Sequence, residues 1–592
     1  MSDRLAFLWP EIALFAATCV VMVMGLSRSA SVRGWVAPFC GLALVIAGAL
    51  AATTTPAGPD VTAEQGQVLL PNLPAFAKLL IAAVGVILLM AAGGTVDRRE
   101  EAQIAAGKRS FDPLRTNRAE FYAFFLFSIT GLMLCASADD LIWLFLALEL
   151  TSLPTYIMVA ISTARNRSRE AGVKYFFLGA LGAAIFLYGF ALIYGGTQST
   201  NLNDIREAIQ ANGVSAITLA GFFLAFIGLS FKIAAVPMHF YVADVYQGAA
   251  PGVSAFLAFV PKTAGFLAML LLAACLGWEY AASDTGLAAA LDPIRATELG
   301  TSLPEPIRLL LWVIAALTMT VGNVLALMQN SVKRVLAYSS VAHSGYMLVG
   351  VIVGPGDGRF ASSGVAAVLF YLVAYGVMNV GAFAVLSSLE RRGAASDASG
   401  RSQSGSDEDE AAGDEPREID HIDDLRGMWK TRPGHAIMLC LSVLGLLGFP
   451  PLLGFLGKYP LFTAGISAGE ISLVIILGLN SAISAVYYLR LVAVPFLSDP
   501  DARAEPIHDV PIFSRVAAGV LSAGGVVAVA ILANPIMSDS ERAAWTRAQA
   551  LTPPTQGESA PLRPGELPTM PSVNVDDAES DETPPVAHAG AR

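Results

Sequence analysis

Glu149, Lys232, Lys262 and Lys458 each stand inside a long apolar stretch of this 592-residue chain. Glu149 lies in LIWLFLALELTSLPTYIMV and Lys262 in PGVSAFLAFVPKTAGFLAMLLLAA. A charged side chain at the centre of a membrane helix costs roughly 2.5–3.5 kcal/mol on insertion scales. Four such residues imply a use for charge at depth. The chain has eight lysines against twenty-nine arginines, and three of the eight lie deep in these runs. Lysine can lose its proton when desolvated, whereas arginine keeps its charge. These residue types in this setting point to proton movement through a membrane.

Proline accompanies two of the lysines. Pro237 follows Lys232 in FKIAAVPMHF, and Pro450, Pro451 and Pro460 surround Lys458 in GFPPLLGFLGKYP. Proline removes a backbone donor and breaks the helix. Lysines beside broken membrane helices mark a transport site at the bilayer midplane. Glu149 is the natural partner of Lys232. At about 4 Å and an effective dielectric near 20, such a pair gains roughly 4 kcal/mol. Desolvation favours the neutral lysine and the carboxylate favours the charged one, so moving the carboxylate switches the proton. The competing readings are a static structural ion pair and snorkelling to the interface.

Other residues carry weaker signals. Lys174, in SREAGVKYFFLGA, sits near a segment end where snorkelling competes with a relay role. His239 and His343 can relay protons near neutral pH, or be buried structural histidines. Lys78 and Glu11 read as interfacial, and Asp244 as a residue that caps or turns a loop. Ser339 and Ser340 can hold water or bond back to their own helix.

The elements that must position these residues follow from composition. The chain is 55% hydrophobic and 14% charged, against about 25% charged in soluble proteins. Apolar runs of 18 or more residues recur along it, so the bilayer is its solvent. Much of the acid behind the net charge of −11 is confined to the loop near 397–424 and to the end of the chain. Cys19, Cys40, Cys135, Cys275 and Cys440 are scattered singly without a CxxC pair, which argues against iron–sulfur or zinc ligation. The six histidines show no metal spacing either. MSDRLAFLWPEIALF lacks the basic start of a cleavable signal. A nucleic-acid partner is not expected.

The periodicity predicts an all-α polytopic membrane protein with about fourteen spans: 8–27, 34–53, 73–93, 119–136, 138–160, 171–195, 213–238, 251–277, 305–328, 334–354, 362–389, 434–464, 468–492 and 512–533. Alternate loops hold the basic residues, among them Arg28, Arg33, Arg98, Arg99, Lys108, Arg109, Arg115, Arg118, Arg165, Arg167, Arg169, Lys333 and Arg334. The intervening loops hold only Arg206, Arg295, Arg308 and Arg359. By the positive-inside rule the basic loops face the cytoplasm and both termini face the periplasm.

Residues 1–118 then comprise three spans and a basic cytoplasmic loop, 119–277 a first set of five spans, 305–492 a second set, and 512–533 a last span. The broken lysine span is the fourth of each set, span 7 and span 12. That placement suggests two repeats, inverted because five is odd. Segment 393–418, GAASDASGRSQSGSDEDEAAGDEPRE, and the tail 538–592 are polar and acidic, and are expected to be disordered.

The segments LALELTSLPTYIM, EAGVKYFFLGAL, FKIAAVPMHFYVADVYQGAAPGVSAFLAFVPKTAGF, VKRVLAYSSVAHSGYMLVG and YLVAYGVMNVGAFAV resemble the subunit N family of bacterial NADH–quinone oxidoreductase, respiratory complex I, counterpart of mitochondrial NADH dehydrogenase subunit 2. The resemblance runs from about residue 5 to 530 and includes IDDLRGM at 422–428. It implies a fourteen-helix antiporter-like subunit with two inverted five-helix repeats around a hydrated axis. It implies that Glu149 is the carboxylate paired with the channel lysine Lys232, that Lys262 is the connecting residue, and that Lys458 is the second-half lysine.

It also implies that NADH, FMN, iron–sulfur clusters and quinone belong to partner subunits, this chain binding no cofactor and supplying the proton path. The implied partners are other antiporter-like and small membrane subunits in a bacterial inner membrane. Sister subunits L and M and the cation/proton antiporter subunits share the lysine–glutamate pattern. The lysine at 458, where subunit M typically has glutamate, favours subunit N. The departures are the 393–418 insertion and the tail. The alternatives are a subunit of a multi-subunit sodium/proton antiporter, or a structural membrane subunit whose charges only specify packing.

Overall fold

Seventeen of the helices among the described residues frame the charged side chains. The computed structural model describes residues 8–53, 69–113, 116–163, 165–279, 302–391, 417–500 and 507–546. The helices are α1 (Trp9–Gly25), α2 (Val36–Thr53), α3 (Leu73–Ala91), α4 (Arg118–Ala136), α5 (Leu141–Ile161), α6 (Asn166–Thr197), α7 (Ala216–Lys232), α8 (Val242–Gly248) and α9 (Pro251–Leu276). They continue with α10 (Glu305–Leu327), α11 (Val332–Val353), α12 (Gly364–Ser387), α13 (Pro433–Leu447), α14 (Leu453–Ser467), α15 (Ile471–Leu497), α16 (Phe513–Ile531) and α17 (Ala533–Ala544). Among the described residues eleven helices are long and apolar enough to cross a membrane, and α1, α7 and α13 are shorter apolar helices. The protein is a multi-pass helical membrane protein.

Helix starts coincide with capping residues. Asp140 accepts from the Ile142 amide at 2.7 Å ahead of α5. Ser215, Ser331 and Ser363 do the same for α7, α11 and α12, satisfying amides that have no partner in the first turn. Pro251 opens α9, where a missing amide hydrogen costs nothing.

Two predicted spans are interrupted. The seventh, predicted over 213–238, is helical only to Lys232, and α8 resumes at Val242. The twelfth, predicted over 434–464, divides at residues 448–452 into α13 and α14.

Burial runs from the centre outward. Every residue of α9 is buried, and α11 and α12 are buried almost throughout. The outer helices turn large apolar side chains outward: Phe177 and Tyr188 on α6, Ile475, Leu479 and Val486 on α15, Ile531 on α16. Such surfaces fit a hydrocarbon solvent, not water. The contact of α6 with α7 depends on absent side chains. A Cβ on Gly189 would lie 2.5 Å from the Ala225 nitrogen, and one on Gly228 2.5 Å from the Phe186 nitrogen.

Strands β1 (Leu389–Arg391), β2 (Arg417–Glu418) and β3 (Ile507–Asp509) form a small antiparallel sheet in the order β2–β1–β3. Arg98 pairs with Glu390 at 3.0 Å, and Lys333 with Glu418 at 2.7 Å, which fastens this sheet to the helical bundle. Arg417 and Glu418 therefore belong to a strand and not to the disordered insertion predicted at 393–418, because backbone pairing with β1 orders them. The rest of that insertion lies outside the described residues, as do Arg115, Arg295 and the tail from 547. Residues 538–544, predicted as tail, are instead the last turns of α17. That helix is held by the Trp545 indole donating to the Gly358 carbonyl at 3.0 Å.

Three further expectations change. Glu11 and Lys78 are not interfacial: they form a buried pair at 2.8 Å between α1 and α3. Arg308, read as a loop cation, is buried and grips Glu470 through two bonds of 2.7 and 2.9 Å. Asp244 is more than a cap, since Arg334 at 2.7 Å and Lys174 at 3.3 Å both pair with it.

Candidate functional site

The break after α7 is built to expose backbone and then satisfy it. Ala234 adopts the left-handed conformation at φ +57°. The Ala235 amide bonds to the Ser230 carbonyl at 2.8 Å and the Ala234 amide to the Phe231 carbonyl at 3.0 Å. This is the Schellman arrangement of a helix end. The remaining groups find side chains. Tyr241 donates to the Phe231 carbonyl at 2.9 Å, Ser344 to the Ile233 carbonyl at 2.6 Å, and the Val236 amide to Thr318 at 3.0 Å. Non-helical backbone is tolerated at membrane depth only with such partners.

Lys232, the last residue of α7, is buried. Its ammonium lies 3.0 Å from the Glu149 carboxylate of α5 and donates to the Ser152 hydroxyl at 2.6 Å. The Ser152 hydroxyl in turn donates a hydrogen bond to the Leu148 carbonyl at 2.8 Å. Serine three residues after glutamate puts both groups on one face of α5, so one helix offers Lys232 a charge and a hydroxyl together. The Glu149 side chain keeps 18% of its surface exposed, whereas Lys232 is buried.

Lys262 sits at the middle of α9, just after Pro261. Its ammonium donates to the backbone carbonyl of Ser340 and, at 3.2 Å, to the Ser344 hydroxyl. Among the described residues no carboxylate pairs with it. Ser344 thus links Lys262 to the open end of α7 through the Ile233 carbonyl. Ser340 turns its hydroxyl back to the Ala337 carbonyl, whereas Ser339 shares a short hydrogen bond with the Tyr488 hydroxyl.

His343 lies between those serines on α11 and is buried. Its Nδ1 is 2.6 Å from the Tyr371 hydroxyl and its Nε2 2.8 Å from the Tyr488 hydroxyl. A neutral imidazole donates through one nitrogen and accepts through the other, so two tyrosines on opposite nitrogens allow either tautomer.

Lys458 lies in α14 beyond the second break. Its ammonium donates to the Leu447 carbonyl at 2.8 Å and to the Ser481 hydroxyl at 3.1 Å. Leu447 ends α13, where the carbonyls have no helical partner and the helix dipole is negative. Glu149, Lys232, Lys262, His343 and Lys458 thus lie along one polar file, buried except for the partly exposed Glu149, with Ser344 joining Lys262 to the Ile233 carbonyl next to Lys232 and two tyrosine hydroxyls on His343. Lys174 and His239 are not in it. Lys174 is half exposed and pairs with Glu170 at 2.7 Å as well as Asp244. His239 lies partly buried in the loop between α7 and α8. Ser152, Ser344, Tyr371 and Tyr488 escaped the reading of the sequence, and a hydroxyl residue recurring within an apolar helix was their only signal.

Fold and site define an antiporter-like membrane subunit, in which a buried lysine lies at each of two helix breaks. Residues 138–285 and 287–484 match the membrane-domain family described as NADH:quinone oxidoreductase/Mrp antiporter. NADH-quinone oxidoreductase subunit N of Trichlorobacter lovleyi is 33% identical over 91% of this chain and 97% of that one. A chain of respiratory complex I from Thermus thermophilus, solved with bound aureothin, superposes with a TM-score of 0.65 at 28% identity, over 89% of this chain and 98% of that chain. A chain of the Mrp complex from Dietzia sp. shares the fold, with a TM-score of 0.64 at 19% identity, over 93% of this chain and 97% of that chain. The chain belongs to the NADH-quinone oxidoreductase subunit N family.

Proposed function

We propose that this chain carries protons across a bacterial plasma membrane as a subunit of a complex I, driven by quinone reduction in its partners. Glu149, Lys232, Lys262, His343 and Lys458 form the relay. The observation that carries this reading is the bonding of Lys232 to Glu149 and of Lys262, through Ser344, to the Ile233 carbonyl next to Lys232, with the tyrosine-flanked His343 beside Ser344 on α11. Glu149 at 3.0 Å gives Lys232 a counter-charge that offsets part of the cost of burying its ammonium. Moving the carboxylate away leaves a buried cation without its counter-charge, and the proton passes toward Ser344 and Lys262. Among the described residues Lys262 and Lys458 have carbonyl and hydroxyl partners and no carboxylate, and such dipoles hold a proton less firmly than a carboxylate does. Lys174 and Asp244 lie at the cytoplasmic surface in this reading, and both termini lie in the periplasm.

Redox chemistry belongs to the partners in this proposal, with NADH, FMN, iron–sulfur clusters and quinone bound there and none on this chain. The other antiporter-like and small membrane subunits pack beside it, and α5 and α14 carry the two ends of its relay. Breaks at the fourth member of each five-helix set support inverted repeats. The test is to purify the tagged chain with its partners and measure NADH oxidation together with proton uptake into vesicles. Co-purification of an NADH-oxidising assembly whose uptake falls in Lys232→Ala is the expected result. A chain that purifies without such partners and exchanges sodium for protons would overturn the reading in favour of an antiporter.

A further inference from the structure

We propose that Tyr346, anchored by Asn323, is a positioning residue that holds Lys458 in its charged form. This rests on the relay reading above and adds to it two residues that are not members of the relay. Lys458 is buried, and among the described residues no carboxylate pairs with it. Besides the Leu447 carbonyl and the Ser481 hydroxyl, its ammonium faces the ring of Tyr346, with the nitrogen 5.0 Å from the ring centroid. A cation within about 6 Å of an aromatic face is attracted by the ring quadrupole, most strongly where water is absent. The ring therefore stands where a carboxylate stands for Lys232.

The ring is held from the far side. Asn323, on α10, is completely buried. Its side-chain nitrogen donates to the Tyr346 hydroxyl at 3.0 Å and to the Met319 carbonyl at 2.9 Å, and its oxygen accepts from Tyr487 at 2.9 Å. Asn480, from α15, approaches the same nitrogen through its oxygen at 3.3 Å. Burying this many polar groups in a membrane protein is costly unless all are bonded, and here the bonds converge on the orientation of one ring. That ring also packs edge-on against His343, with centroids 5.5 Å apart. It thus lies between the last two members of the relay.

The elements packed against α14 are α11, α12, α13, α15 and α16. Their titratable groups on this side are His343 and Tyr346 on α11, Tyr371 and Tyr375 on α12, and Tyr487 and Tyr488 on α15. Lys262 is bonded to Ser340 and Ser344 of α11. Cys440 and His435 of α13 precede Leu447 by two turns or more, and Arg515 of α16 is occupied with the Gly93 and Ser387 carbonyls. Tyr459, on α14 itself, is exposed. None of these is an anion at neutral pH, so among the described residues the ring is the one group besides the dipoles that favours the ammonium.

The experiment is proton uptake per NADH oxidised, in vesicles carrying the whole complex, followed across neutral and alkaline pH. Complex content is checked for each variant. Tyr346→Leu removes the ring, and the alkaline limb of the uptake profile is expected to move down by about one unit, a tenfold loss on that limb. Tyr346→Phe keeps the ring and loses only the hydroxyl, and is expected to retain most of the uptake with a shift well below that. A wild-type profile for Tyr346→Leu, or an equal shift in both variants, overturns the proposal. Where Tyr346→Leu does not assemble, Asn323→Leu keeps the ring but frees it. A partial shift then supports the proposal and a wild-type profile overturns it. Lys458→Met separates the two levels. Loss of uptake there, with Tyr346→Leu unchanged, removes this inference and leaves the relay standing. Normal uptake in Lys458→Met removes the relay itself.

Discussion

The Glu149 carboxylate and the Lys232 ammonium lie 3.0 Å apart although 83 residues separate them in the chain. Each helix delivers its charge where the other needs one, so the two residues should behave as a unit. Glu149→Ala leaves Lys232 buried without a counter-charge and favours its neutral form. Lys232→Ala leaves the Glu149 carboxylate without its counter-charge. Each single variant is expected to lose most proton uptake, and the double variant to be no worse than the worse single one. Strict additivity of the two losses, measured in assembled complex, would count against a functional pair.

Arg308 and Glu470 make a different kind of pair. They are buried, bidentate and away from the lysine file, joining α10 to the start of α15. Breaking a buried pair from one side costs about 3–5 kcal/mol, whereas replacing both partners by apolar residues is often nearly neutral. Glu470→Ala is therefore expected to lower the amount of assembled complex and its thermal stability severely. Arg308→Leu with Glu470→Leu should recover much of both. Thermal inactivation of the purified complex reads this directly, and a double variant as unstable as Glu470→Ala would contradict it.

The spans were legible because membrane insertion depends on local composition. The breaks were legible because proline acts on its own turn. Glu149, Lys232, Lys262 and Lys458 stood out because a charge among apolar residues has no local justification. What could not be read depends on partners brought by the fold. Ser344 looks like any serine in an apolar helix until the Ile233 carbonyl is placed against it. Tyr371 and Tyr488 come from separate helices, and only the fold puts His343 between them. Glu11 lies near the start of its span and reads as interfacial, and only packing of α1 on α3 reveals Lys78 as its partner. The strand at Arg417 was hidden for the same reason, since two residues of β2 carry no pattern without β1 beside them.

Topology is testable at two points. The alternation of basic and neutral loops predicts that both termini face the periplasm. Because α17 runs to Ala544, a reporter belongs after Thr546 and not inside that helix. It should read as periplasmic, and a second reporter between β1 and β2 as cytoplasmic. Finding both on one side would rule out this arrangement of spans.

The segment between β1 and β2 should be dispensable for proton transfer. It has no aromatic anchor and too little apolar surface to fold alone. Its two ends are already joined, since Glu390 pairs with Glu418 across the strands. A short turn in place of 393–416 that keeps Arg417, Glu418 and IDDLRGM should leave assembly and NADH–quinone activity near normal. A complex that assembles but loses most of its activity would refute this.

Lys458 separates proton chemistry from packing. Its ammonium touches a carbonyl at 2.8 Å and a hydroxyl at 3.1 Å, contacts that a fixed cation could also make. A relay member must also release its proton. Arginine keeps the charge but stays protonated at any accessible pH. Lys458→Arg is therefore expected to assemble with roughly normal subunit content, yet to take up protons poorly, with a loss of about tenfold or more in uptake per NADH oxidised. A structural cation would behave in the opposite way. Arginine would then substitute tolerably, and Lys458→Met would chiefly harm assembly. Full pumping by Lys458→Arg would make Lys458 a packing residue and would count against the relay as a whole.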